Sequence, residues 1–79
     1  MEYKDTVELM LSSDYKDRFR AEYYQLKIRL KKLYRMIAER VTVEQIDGCP
    51  IEIHKEQAKI MLDYLNTLEI RAIVEGIEL

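Results

Sequence analysis

Apolar residues recur at alternating steps of three and four along two stretches of this chain. Phe19, Tyr23, Leu26, Leu30, Leu33 and Ile37 form the first stripe. Ile51, His54, Ala58, Met61, Leu65, Leu68 and Ala72 form the second, and one Gly48-Cys49-Pro50 break lies between them. A repeat of 3.5 residues keeps a single helical face turned toward a neighbour, so each stripe is the seam of a helix laid along another helix. The link between the two is nine residues, 41–49, which implies an antiparallel pair. The expected fold class is all-α: an antiparallel two-helix hairpin with a short N-terminal helix, assembled as a homo-oligomeric helical bundle.

Size explains why oligomerisation belongs in that expectation. Seventy-nine residues make one domain, and an elongated hairpin buries little of its own surface. Cys49 is the only cysteine, so no disulfide can staple the chain. One cysteine and one histidine provide no metal-ligand spacing. A lone cysteine, with Glu2, Lys4 and Asp5 where a leader would be apolar, is what a protein of a reducing cytoplasm is expected to show. The apolar runs are far too short to cross a membrane. Association with further copies is the remaining route to stability.

The punctuation places the helix ends. Residues 3–11 read as a short helix that covers one end of the hairpin. Ser12-Ser13-Asp14 offers three N-cap residues, and a long helix runs from about 14 to 40 without Gly or Pro. Val41, Thr42 and Val43 are β-branched and Asp47-Gly48 is a turn signal, so 41–49 is a connector. Pro50 suits the first helical position, with Cys49 as the cap. The second long helix runs from about 50 to 75. Gly76 then serves as a left-handed C-cap, with Ile77 making the accompanying apolar contact.

The net charge of −2 conceals an uneven distribution. Residues 14–40 hold nine basic and four acidic side chains, whereas the remaining residues hold four basic and eleven acidic ones. The densest basic run, Lys27 to Arg35, has two readings. The plainer one pairs its cations with Glu52, Glu56, Asp63 and Glu69 of the second helix. The functional one holds an anion, with Arg29, Lys32 and Arg35 on phosphates and Tyr24 as a stacking plane for a base. An acidic chain is unsuited to extended nucleic acid. Tyrosine is over-used, at six Tyr against one Phe and no Trp. Tyr24 and Ile28 lie off the first seam, and Ile53, Ile60 and Tyr64 off the second; these five read as a subunit interface. His54 reads as a packing residue, and Glu75 and Glu78 as solvated carboxylates. No nucleophile–base pair, phosphate loop or metal triad is present, so no enzyme is expected and no cofactor.

The stretch Asp14-Tyr15-Lys16-Asp17-Arg18-Phe19-Arg20-Ala21-Glu22-Tyr23-Tyr24-Gln25-Leu26-Lys27 is followed by Cys49-Pro50-Ile51-Glu52, Glu56-Gln57-Ala58, Tyr64-Leu65, Leu68-Glu69-Ile70-Arg71-Ala72 and Glu75-Gly76-Ile77-Glu78-Leu79. This combination resembles a group of small proteins from phages and prophages of gut Firmicutes and Bacteroidota, related to a protein first catalogued in a crAss-like phage. The resemblance implies an accessory protein that acts by binding in phage–host conflict. The expected mechanism is a sponge: a cyclic nucleotide or ADP-ribose-type signal held in pockets between subunits. The alternative is an inhibitor that lays the Tyr24/Ile28 face on a host defence protein.

Overall fold

The computed structural model describes residues 1–40 and 49–79. Among them all regular structure is helical: a 3-10 turn Tyr3–Asp5 leads into α1 (Thr6–Leu11), followed by α2 (Tyr15–Arg40) and α3 (Ile51–Glu75). Apart from Cys49, the expected connector lies outside the described residues.

Each helix end has a local cause. The Lys16 amide donates to Asp14 Oδ1 at 2.9 Å, making Asp14 the N-cap of α2. Ser12 tightens this cap: its hydroxyl accepts from the Asp14 amide at 3.1 Å and donates to Asp17 at 2.8 Å. Arg20 closes on Asp17 in turn, at 3.1 Å. At the start of α3 the sequence reading is one residue early. Pro50 has an extended ψ of 141° and is itself the cap, its carbonyl accepting from the Ile53 amide at 3.0 Å. The far end of α3 follows the expected pattern. Gly76 takes φ 70°, and the Ile77 amide reaches back to the Ala72 carbonyl at 2.8 Å, the long bond of a Schellman ending. Ile77 is buried against the core.

The two seams meet. Phe19, Tyr23, Leu26 and Leu30 of α2 pack with Ala58, Met61, Leu65, Leu68 and Ala72 of α3, while Leu33 and Ile37 are half-buried beside them. Leu68 is 0% exposed, a burial worth about 1.5–3 kcal/mol. The direction is antiparallel: Tyr15 bonds Glu75, and Tyr23 bonds Glu69. At the open end the pairing is locked by polar groups. The Arg71 guanidinium donates to Glu75 at 3.1 Å and to the Tyr15 hydroxyl at 2.9 Å, and lies 5.0 Å from the centre of the Phe19 ring. Arg20 donates to the Glu78 carbonyl at 2.7 Å. Glu75, exposed as expected, also anchors a latch with Tyr15, Phe19 and Arg71.

The short α1 does not cover an end of the pair, as its apolar residues suggest. It lies alongside α2, on the flank opposite α3. Ala21 is two residues from Phe19 and from Tyr23, about 200° around the helix, yet it is 0% exposed. Thr6 covers that flank, fully buried, accepting from the Gln25 amide at 2.9 Å and donating to the Tyr3 carbonyl at 2.6 Å. The order across the molecule is α1, α2, α3. Extents of 44 × 25 × 16 Å fit one layer of helices, each ~10–12 Å thick with its side chains. Two broad faces are thus left to solvent, and the site sits on one of them.

Candidate cation–tyrosine site

On one broad face, Tyr24, Lys27, Ile28, Lys31, Lys32 and Arg35 of α2 surround a cavity of about 280 Å³, with Met1 at its rim. Tyr24, Lys27, Lys31 and Arg35 recur at steps of three and four, so one line of α2 carries them all. Tyr24 is fixed from below. Its ring packs edge-on against Tyr23, with centroids 5.0 Å apart and planes at 82°. Lys27 Nζ sits 5.7 Å above the Tyr23 ring. Tyr23 is held by burial and by donating its hydroxyl to Glu69 at 2.8 Å. Desolvation first, and the Glu69 carboxylate second, push its phenol up to about 12.

No described carboxylate neutralises the cations of this face. Among the described residues no carboxylate lies in ion-pair contact with Lys31, Lys32, Arg35 or Arg29. The pairing with Glu52, Glu56, Asp63 and Glu69 that the charge pattern suggests does not form. Helical geometry gives the reason. Glu52, Glu56 and Asp63 project from the edge of α3 that faces away from α2, about 160–200° from the buried seam. Glu69 is taken by Tyr23. A cluster of like charges beside an aromatic ring is therefore left open to an anionic ligand.

The sequence-predicted ligand set is split by the fold. Tyr24, Lys32 and Arg35 come together in this cavity, and Lys27 and Lys31 join them. Arg29 does not. It lies on the opposite broad face, in a groove of about 360 Å³ with Arg18, Glu22, Gln25 and Tyr64. The step from Arg29 to Lys32 carries the chain around the helix, and Lys32 borders both faces. The five expected interface residues divide likewise. Ile53, Ile60 and Tyr64 are exposed, Tyr64 donating its hydroxyl to Glu22. Tyr24 and Ile28 are half-buried, because the core and the N-terminal segment already cover part of them. His54 stands on the seam, partly buried, as a packing residue does. Cys49 Sγ lies 3.8 Å from the Pro50 carbonyl. Among the described residues no group of three His, Cys, Asp or Glu is placed to hold a metal, and no helix is long and apolar enough to cross a membrane.

The profile of the Sequestin family matches residues 13–73, and the chain belongs to that family, one of small sequestering proteins. The match takes in α2 and nearly all of α3, and so every residue of the cavity except Met1. No curated protein and no solved structure matches the chain.

Proposed function

We propose that this protein sequesters a small phosphorylated signalling nucleotide, without turning it over, as an accessory counter-defence protein of a phage or prophage. The observation that carries the reading is the set of four cations, Lys27, Lys31, Lys32 and Arg35, gathered around Tyr24 with no acidic partner among the described residues. Lys and Arg supply charge-assisted bonds to phosphate, and the Tyr24 ring offers a plane for a base. Membership of a family of sequestering proteins agrees with binding as the whole activity. The cavity of about 280 Å³ falls just below the ~300–1,000 Å³ usual for small-ligand sites. A neighbouring subunit would complete it, which is why the reading includes a homo-oligomer with ligand between subunits. The competing reading, an inhibitor that lays the Tyr24/Ile28 face on a host protein, is weakened by the half-burial of both residues and by the charges around them.

Calorimetry with cyclic dinucleotides, cyclic trinucleotides and cyclic ADP-ribose isomers tests the proposal. The native protein should bind at least one of them. The Lys31→Glu/Arg35→Glu double variant should lose affinity by about 100-fold or more, since each charged hydrogen bond is worth ~1.5–3 kcal/mol. Silence of the native protein across the panel would end this reading.

A further inference from the structure

The groove face, opposite the Tyr24 cavity, carries a second seam. Ile53, Ile60 and Tyr64 of α3 are all exposed, and their steps of seven and four keep them on one line of the helix. One layer of helices cannot bury both of its broad faces, and stable domains are built from two packed layers. The seam is bordered differently on its two sides. Toward α2 lies the groove with Arg29. Toward the outer edge lie Glu52 and Glu56. Arg29 sits at the level of Gln57 and His54, and so at the level of those two glutamates. Neither set is paired with the other within the chain.

From this arrangement we infer that two copies stack through this face with their α3 helices parallel and in register. The occupant is a second copy because the face is charge-complementary to itself under one symmetry only. A two-fold axis perpendicular to α3 makes the helices antiparallel and lays outer border on outer border and inner on inner, so no glutamate of one copy meets Arg29 of the other. A two-fold axis along α3 makes them parallel and lays the Glu52/Glu56 border of each copy over the Arg29 border of the other. Arg29 then serves assembly, and the face around Tyr24 is left for a second subunit contact that completes the ligand cavity. The inference rests on the self-association in the functional reading and is independent of the nucleotide.

Disulfide trapping tests it, in a Cys49→Ser background. Ile53→Cys and Tyr64→Cys lie about 16 Å apart along α3 at ~1.5 Å per residue. In a parallel, in-register pair each of these single variants cross-links to its own copy under mild oxidation. In an antiparallel pair a site and its own copy meet only near the axis, so at most one of the two does. Light scattering of the native protein should report a multiple of the chain mass. Arg29→Glu and Glu56→Lys should each weaken association at least tenfold, and the double variant should regain most of it. A native monomer would overturn both the inference and the oligomer on which it rests. An oligomer in which only one site, or neither, cross-links would overturn the parallel pairing alone. A double variant no better than its singles would overturn the Arg29–Glu56 contact as its basis.

Discussion

Alkaline titration reads out one residue of the α2–α3 seam. Burial and the Glu69 carboxylate raise the Tyr23 phenol from its ordinary 10 to about 12. A group whose pKa is higher in the folded chain keeps its proton longer there than in the unfolded chain. Its contribution to stability is complete below pH 10 and is lost as the pH rises from 10 through 12. Two units correspond to about 2.7 kcal/mol, and the exposure of Glu69 to solvent reduces this to about 2 kcal/mol. That is a large share of the ~4–12 kcal/mol expected for a chain of this size. Urea unfolding followed by far-UV circular dichroism, at a series of pH values, compares the native protein with Tyr23→Phe. Below pH 10 the variant should be less stable by about 1 kcal/mol, from the lost hydrogen bond. Between pH 10 and 12 the native protein should lose about 2 kcal/mol more than the variant, which has no proton to give up at that position. Tyr15, raised by its hydrogen bond to Glu75, and the lysines are common to both proteins and cancel. A difference between the two proteins that stays constant through pH 12 would refute the assignment of the buried phenol.

Two further substitutions probe the scaffold. Leu68→Ala, at the fully buried centre of the seam, should cost about 2–5 kcal/mol in the same urea assay, with far-UV helicity retained at zero denaturant if the chain stays folded. Gly76→Ala should cost about 1 kcal/mol, read as a lower thermal midpoint; a Cβ there meets nothing within 4 Å, so the whole penalty comes from the positive φ.

The parts of the structure that were legible in the sequence are those written as short-range periodicity. The two seams are rows three and four residues apart, and both lie at the interface of α2 and α3. The Gly76-Ile77 ending is a local motif and needs no tertiary information. The position of α1 was not legible because it rests on the buried Thr6 and Ala21 and on the Gln25–Thr6 hydrogen bond, small and polar groups that leave no trace in a hydrophobic pattern. The latch was missed because its partners, Tyr15 with Glu75, are 60 residues apart. The site was half legible. The line of Tyr24, Lys27, Lys31 and Arg35 could be counted from helical spacing alone, whereas Arg29 projects elsewhere and would join them only where subunits meet. The failure of the acidic helix to neutralise the basic one depends on which edge of α3 faces α2, and net charge carries no such direction.

The latch of Tyr15, Arg71 and Glu75 also orders the folding of the pair. Contacts nearer the connector close smaller loops: Tyr64 and Glu22 are separated by 42 residues, Tyr23 and Glu69 by 46, Tyr15 and Glu75 by 60. Chain entropy favours the smaller closures first, so α2 and α3 zip from the connector outward and the latch engages last. Interactions formed after the transition state leave the folding rate alone and act on unfolding. The latch therefore sets how long an assembled molecule survives, and the seams set how readily it forms.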